Sequence, residues 1–247
     1  MYGDRARIGY TCPIYLAEVF PLDFYRIVPE GVSLVTATAS VWEGTQEEMA
    51  QSAQQTLRAA REMARAGVNI VVLGGVPVGF AAGFATTEEL VKHVQDECGV
   101  QVTASLLCQN RALQAVGAKN VVVLRHGVSR DDRHMRELEA LGLHIIGSRG
   151  TRDFAPEPRG QSSSPYGTPI PASATLEMAR ALLKENPDAD TLHCPSPHWP
   201  IVTNIEALEQ EFRVNVITAG QAITWAALRD CGITDSISGF GRLLRDL

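Results

Sequence analysis

The sequence of 247 residues lacks the features of several protein classes. It has no run approaching about 18 consecutive apolar residues, so we expect no membrane-spanning helix. Its first residues, MYGDRARIGY, contain no apolar stretch and include an early Asp, unlike a secretory signal. Lys and Arg number 22 against 28 Asp and Glu, the formal net charge is −6, and the basic residues form no local cluster. The sequence therefore predicts a cytoplasmic protein with neither nucleic acid nor a membrane as its partner.

Cysteine pairs and cofactor motifs are also missing. The five cysteines are irregularly spaced and form no CxxC pair: Cys12, Cys98, Cys108, Cys194 and Cys231. An odd number of cysteines without a signal peptide favours free thiols over a disulfide framework. The histidines and cysteines lack metal-ligand spacing, and the Gly74-Gly75 turn lacks the GxGxxG pattern of a dinucleotide site. We therefore expect no cofactor, and a small molecule as the substrate.

What the sequence has is a hydrophobic content of 45%, enough for a substantial core. Short β-branched runs alternate with helical stretches, a pattern that predicts parallel sheets flanked by helices. A long helix is expected over residues 45–66, because it opens with the capping box TQEE and closes at Gly67. The apolar run VNIVVL from Val68 predicts a strand that is buried on both faces.

The other elements follow the same alternation. Further helices are expected over residues 86–98, 105–116, 129–141, 173–186, 203–212 and 222–231. Further strands are expected to begin near residues 8, 32, 100, 120, 143, 190 and 214. Residues 150–172 interrupt the alternation, because they are rich in Pro, Ser and Gly and too long for an ordinary connection. They form either an active-site lid or a solvated excursion with no role.

A faint internal repeat indicates two related parts. The segment from Gly99 to Ala104, followed by a helix and a glycine, resembles the segment from Arg213 to Thr218. We therefore expect an α/β protein of two pseudo-symmetric flavodoxin-like halves, each a short parallel sheet flanked by helices, with the active site in the cleft between them. The first half is expected to comprise residues 1–117 and 219–247, and the second residues 118–218.

Cys194 is the strongest candidate for chemistry. It lies at the predicted carboxyl end of a strand, the edge at which open parallel sheets bind ligands. A following helix N-terminus is expected to lower its pKa and favour the thiolate. His193 precedes it, but adjacent strand side chains point to opposite faces, so His193 is expected on a sheet face and not as a partner base. The alternative is that Cys194 is an inert buried thiol.

The order and spacing of these motifs resemble the aspartate/glutamate/hydantoin racemase superfamily, most closely its arylmalonate decarboxylase and maleate isomerase branch. The resemblance covers nearly the whole chain. The matching features are the IG-initiated first strand with Pro13, the strand–GGVP unit, the NVVVL strand, the strand that ends at Cys194 with its following IEALE helix, and the VNVIT strand. The resemblance implies two pseudo-symmetric α/β halves with the site between them.

The resemblance also implies a reaction. Racemases of the superfamily use two cysteines, because inverting a stereocentre needs a base on one face and an acid on the other. Here Cys194 matches the second cysteine, whereas a glycine, Gly75 by the closest match, replaces the first. That pattern is similar to the decarboxylase, in which loss of CO2 from a malonate leaves an enediolate that one thiol protonates. Maleate isomerases use the missing first cysteine as a nucleophile, which argues against their reaction.

In the family, hydroxyls and backbone N–H groups of two loops form an anion hole. This chain departs from the family at that site. Val76 and Pro77 stand where the family has small hydroxylated residues, and Pro195 follows the cysteine. Proline has no N–H to donate, so other donors must stabilise the developing negative charge. The candidate donors are Ser196, the Gly75 amide and Arg125.

Arg125 and His126 stand where the decarboxylase has a tyrosine. A guanidinium can bind a carboxylate through two hydrogen bonds, which would suit a dianionic substrate. The alternative is that Arg125 pairs with Asp131 or Asp132.

The first strand offers further candidates. Thr11 is the only hydroxyl that matches the family's carboxylate-binding turn, and Cys12 beside it either lines the pocket or packs in the core. Trp42 and Trp199 either shape a pocket for an aromatic group or belong to the core, and His198 is either a second acid or a loop residue.

The sequence thus predicts a cofactor-independent decarboxylase of a substituted malonate or related dicarboxylate, active as a monomer or small homo-oligomer. Cys194 is the expected catalytic residue. The expected substrate-binding residues are Thr11, Pro13, Gly74, Gly75, Val76, Pro77, Arg125, His126, Pro195 and Ser196. Two alternatives stay open: an isomerase or racemase that uses Cys194 with a partner such as His126 or Cys12, and a non-catalytic protein that binds dicarboxylates.

Overall fold

The computed structural model describes residues 3–14, 18–42, 45–75, 83–125, 132–150, 153–154 and 170–247. The chain divides into two compact units. The first comprises residues 1–108 and 223–235, and the second residues 109–222 and 236–247.

The first unit contains a sheet of four parallel strands in the order β2-β1-β3-β4. Its strands are β1 (Ala6–Ile14), β2 (Val32–Val41), β3 (Ile70–Leu73) and β4 (Gln101–Ala104). The helices that follow these strands are α1 (Val19–Ile27), α2 (Gln46–Arg65), α3 (Thr87–Cys98) and α4 (Ser105–Ala115). Strand β3 is buried along its whole length, as its uninterrupted apolar run predicts.

The second unit repeats this strand order in a second parallel sheet, β6-β5-β7-β8. Its strands are β5 (Asn120–Arg125), β6 (His144–Gly150), β7 (Thr191–Cys194) and β8 (Asn215–Thr218). The later helices are α5 (Asp132–Ala140), α6 (Ala172–Glu185), α7 (Ile205–Phe212), α8 (Ala219–Asp230) and α9 (Arg242–Asp246), with a 3-10 turn at Val202–Asn204 before α7. Most of α8 belongs to the first unit. Two four-stranded parallel sheets flanked by helices confirm the predicted fold class.

Local signals in the sequence account for the ends of the helices. The Thr45 hydroxyl accepts a hydrogen bond from the Glu48 amide at 3.2 Å and so caps α2. Helix α3 ends at Gly99 in the left-handed conformation, with φ 68°. Helix α7 ends in the same conformation at Arg213, with φ 59°. The predicted repeat therefore extends to the backbone conformation that joins each of these helices to the next strand.

Helix α1 is absent from the sequence prediction because Pro21 lies within it. The proline occupies the first turn, where backbone N–H groups have no helical partner, so it does not break the helix. Phe20, Phe24 and Ile27 form its buried face.

The last residues of the chain associate differently from the expectation, which placed residues 219–247 in the first half. Residues 236–247 belong to the second unit. Glu206 and Glu209 of α7 hold this segment, because their carboxylates accept hydrogen bonds from the amides of Gly241 (3.1 Å) and Arg242 (2.8 Å).

The helices that the structure describes include none with the length and apolar character needed to cross a membrane. The described residues also contain no group of three or more His, Cys, Asp or Glu side chains that could hold a metal ion.

Candidate active site

Cys194 is the last residue of β7, and its side chain is fully buried. Burial raises the pKa of the Cys194 thiol above its usual range. The expectation of a helix-stabilised thiolate is therefore wrong. Helix α7 begins only at Ile205, after a turn that starts with Pro195, so no helix N-terminus directly follows the sulfur. At neutral pH the residue carries its proton.

The turn after Cys194 is held by partly buried polar contacts. The Ser196 hydroxyl accepts a hydrogen bond from the His198 amide at 3.4 Å, and both residues are partly exposed. Trp199 is only 2% exposed, so it belongs to the core. The Thr175 hydroxyl of α6 donates to the Pro200 carbonyl at 3.0 Å. Ser196 and His198 therefore lie on a turn that is anchored to α6.

His193 lies on the face of the second sheet, as the strand alternation predicts. It is fully buried, and its Nδ1 lies 3.2 Å from the Ile217 carbonyl oxygen of β8. This contact fixes the ring against the neighbouring strand.

Arg125 ends β5, beside the strand that carries Cys194. Strands β5 and β7 pair in parallel with Val123 opposite His193, and continuing that register places Arg125 beside Pro195. The Arg125 side chain is 6% exposed and donates to the Ser148 hydroxyl at 3.3 Å. A buried guanidinium at the carboxyl end of a parallel strand is a suitable anion ligand. The expected His126 and the alternative partner Asp131 lie outside the described residues, as does the side chain of the other alternative partner, Asp132.

The first unit brings four expected residues together where β1 and β3 end. The Gly74 amide donates to the Thr11 carbonyl at 2.9 Å and to the Thr11 hydroxyl at 3.2 Å. Gly75 follows with φ +80° and lies against the Pro13 ring. Because the Thr11 hydroxyl accepts from Gly74, its own proton stays available for donation. Val76 and Pro77 lie outside the described residues.

The backbone at Gly74 and Gly75 leaves no room for a side chain. A Cβ at Gly74 would overlap the Thr11 carbonyl oxygen, and a Cβ at Gly75 would lie 2.5 Å from Pro13 Cγ. Gly75 also adopts a left-handed conformation that disfavours any residue with a Cβ. Gly75, the position expected to match the first cysteine of the racemases, therefore has no space for a cysteine side chain unless the end of β1 moves.

The remaining cysteines do not join this group of residues. Cys12 is fully buried on the opposite face of β1 from Thr11, and burial raises its pKa to about 12. Cys108 is also fully buried, with its sulfur 3.7 Å from the Thr103 hydroxyl. Cys98 and Cys231 are partly buried, and burial raises the pKa of each. These features favour a packing role over a pocket-lining role for Cys12.

Trp42 does not belong to the core, because it is 37% exposed. Its backbone amide donates to the Glu48 carboxylate at 3.3 Å.

Comparison with solved structures identifies three similar enzymes. Maleate isomerase Iso from Pseudomonas putida S16 has a TM-score of 0.80 at 17% identity, over 98% of each chain. Unliganded arylmalonate decarboxylase has a TM-score of 0.75 at 21% identity, over 97% of this chain and 98% of the enzyme. The chain has their fold. A cysteine-to-serine mutant of Nocardia farcinica maleate cis-trans isomerase, with a covalent succinylcysteine intermediate, scores 0.78 at 22% identity, over 98% of this chain and 99% of the isomerase.

These likenesses confirm the fold that the resemblance implies. No protein-family model and no curated protein matches the sequence. The similar structures are enzymes that act on small carboxylates, and they include both a carboxy-lyase and isomerases.

The sequence analysis did not single out Tyr10. This residue stands in the middle of β1, and its hydroxyl lies beside Gly74. A tyrosine in the middle of a mostly buried strand is the signal that could have drawn attention to it.

Proposed function

We propose that the protein is a cofactor-independent decarboxylase of a substituted malonate or related dicarboxylate. Cys194 is the proton donor in this proposal. The observation that carries it is a single buried, protonated thiol at the carboxyl end of β7, combined with a glycine turn that has no space for a second thiol. Decarboxylation requires one acid, whereas racemisation requires an acid and a base on opposite faces.

The proposed reaction has two steps. The bond between the α-carbon and one carboxylate breaks, CO2 leaves, and the electron pair spreads over the α-carbon and the remaining carboxylate as an enediolate. The Cys194 S–H bond then breaks, and its proton forms the new C–H bond while the sulfur keeps the electron pair. Water returns a proton to the thiolate. The net reaction consumes one proton and converts a dicarboxylate into a monocarboxylate and CO2.

The raised pKa of Cys194 suits this role, because the donor must hold its proton until the carbanion forms. An enediolate is a strong base and takes a proton even from a weakly acidic thiol. The dry surroundings of the sulfur also keep water away from the α-carbon, so the donated proton arrives from one side.

The remaining carboxylate needs hydrogen-bond donors, because negative charge accumulates on it in the transition state. We propose that the Arg125 guanidinium, the Thr11 hydroxyl, the Gly75 amide and the Ser196 hydroxyl supply them. Thr11 and Gly75 lie together at the ends of β1 and β3, and Arg125 lies beside the strand that carries Cys194. These donors replace the amides that Pro77 and Pro195 lack.

Isomerisation is the second candidate, because two of the similar structures are maleate isomerases and one of them holds a succinylcysteine. That chemistry requires a thiolate that adds to a carbon–carbon double bond. The fully buried Cys194, with its raised pKa, is poorly suited to supply it.

The test is CO2 release from phenyl-, alkyl- and alkenyl-substituted malonates by the purified protein. We expect release of one CO2 per monocarboxylate formed from at least one member of the panel. Conversion of maleate to fumarate, or exchange of the α-hydrogen of a monocarboxylate with heavy water, without CO2 release from any malonate would favour the isomerase or racemase. Carboxylate binding without any turnover would favour the non-catalytic alternative.

A further inference from the structure

Tyr10 has a buried hydroxyl group that has no hydrogen-bond partner among the residues that the structure describes. The residue lies in β1, is 1% exposed, and stacks against Phe20 of α1 with ring centroids 4.3 Å apart. No residue that the structure describes donates a hydrogen bond to its Oη or accepts one from it. Burial raises the pKa of Tyr10 well above its usual range, and the thiols of Cys12 and Cys108 nearby act in the same direction. The hydroxyl is therefore neutral and carries a proton to donate.

Such a hydroxyl is unfavourable for the fold. A buried polar group that has lost water without gaining a partner destabilises the folded chain, and phenylalanine would fill the same space without that cost. Because buried polar groups in folded proteins are nearly always paired, an exception calls for a partner that binds later. A ligand in the active site could supply that acceptor.

The position of the hydroxyl points to the ligand. Gly74 carries no side chain, and a Cβ there would lie 2.9 Å from Tyr10 Oη. The hydroxyl therefore lies beside Gly74, the residue that precedes Gly75 at the end of β3, whereas the Thr11 side chain points to the other face of β1. This is the carboxyl edge of the first sheet, where parallel sheets bind ligands. The proposed function needs donors at this place, because Pro77, two residues after Gly75, has no backbone N–H to donate.

We propose that the Tyr10 hydroxyl donates a hydrogen bond to the carboxylate that the substrate retains. This inference rests on the proposed function and adds to it a binding residue in the first unit. A neutral donor in dry surroundings stabilises an anion more strongly than one exposed to water, because little solvent competes for the bond. The Tyr10 hydroxyl stays neutral while negative charge grows on the carboxylate. The hydrogen bond between them therefore becomes stronger as the enediolate forms.

The test compares Tyr10→Phe with Tyr25→Phe, a matched loss of a hydroxyl from an exposed residue of α1 that accepts a hydrogen bond from the Leu34 amide. The measurements are the melting temperature without ligand, the Kd for malonate and phenylmalonate by calorimetry, and kcat and KM for decarboxylation. We expect Tyr10→Phe to melt at the same or a higher temperature. Its Kd for both dicarboxylates should be about 10- to 100-fold higher than that of the wild type. Tyr25→Phe should bind both dicarboxylates with the affinity of the wild type.

A spectroscopic measurement follows the hydroxyl itself. In protein labelled with 13C at the ζ carbon of its five tyrosines, the Tyr10 resonance is assigned by its loss in Tyr10→Phe. We expect malonate to shift that resonance in the wild type and to leave the Tyr25 resonance unchanged.

Equal dicarboxylate affinity of Tyr10→Phe and the wild type, or a Tyr10 resonance that malonate does not move, would overturn the inference and leave the proposed function intact. A fall of several degrees in the melting temperature of unliganded Tyr10→Phe would also overturn it, because the hydroxyl would then have a structural partner. Failure of the wild type to bind any dicarboxylate would reject the proposed function and this inference together.

Discussion

Replacement of Cys194 by alanine is expected to lower CO2 release from the best malonate by about 100- to 10,000-fold, the usual contribution of a general acid. The reason is that the described strand ends offer no second thiol: Gly74 and Gly75 have no side chains, and Cys12 faces away from Thr11. The affinity for malonate should change little, because the thiol meets the α-carbon and not the carboxylate. The measurements are kcat and KM for decarboxylation, with Kd by calorimetry.

The control is Cys231→Ala, which removes a half-buried thiol just after the end of α8. It should release CO2 at the wild-type rate. Both alanine variants should remain folded, as judged by circular dichroism and cooperative melting. If Cys194→Ala kept its activity within tenfold of the wild type, another group would be the proton donor and the proposed mechanism would be wrong.

Substitution of Gly75 by alanine is expected to destabilise the protein by about 2–5 kcal/mol. The left-handed conformation at Gly75 disfavours any Cβ by about 1–2 kcal/mol. Overlap of the new Cβ with Pro13 Cγ, at 2.5 Å, adds a packing cost of about 1–3 kcal/mol. The measurement is the free energy of unfolding in urea. The same geometry predicts that Gly75→Cys destabilises the chain and does not provide a well-placed second thiol.

Gly83→Ala is the matched control for this prediction. Gly83 has φ +87°, but no atom of the residues that the structure describes lies within 4 Å of the Cβ that alanine would add. The free energy of unfolding of Gly83→Ala should therefore fall only by the conformational cost of about 1–2 kcal/mol. In the Gly75→Ala background, Pro13→Ala removes the overlapping Cγ and should recover part of the stability, which a double-mutant cycle measures. Equal losses at the two glycines would show that Pro13 does not close this turn.

The sequence predicts the architecture well because its signals are local. The capping box at Thr45, the left-handed Gly99 and the apolar run of β3 each depend on neighbouring residues, and each lies in the structure as expected. Helix α1 was missed because Pro21 normally breaks helices, and only its position in the first turn makes it compatible. The short helix α9 was also missed, since contacts with α7 hold its start.

The site was less predictable, because its properties depend on contacts between distant segments. Thr11 and Gly74 could be placed at strand ends from the pattern alone, but the close approach that excludes a Cβ at Gly74 arises only when β1 and β3 pair. The protonation state of Cys194 was predicted in the wrong direction, because burial outweighs the distant start of α7. The unpartnered hydroxyl of Tyr10 likewise becomes visible only in three dimensions.

The central claim is that one thiol protonates an enediolate from one side, and the most direct test is the reaction of a prochiral 2-alkyl-2-phenylmalonate in heavy water. Mass spectrometry and chiral chromatography of the product measure its deuterium content and its configuration. The account predicts one deuterium at the α-carbon, a single enantiomer, and no further exchange on prolonged incubation. A racemic product, or continued exchange of the α-hydrogen in the product, would contradict it, because either result requires access to both faces of the carbon.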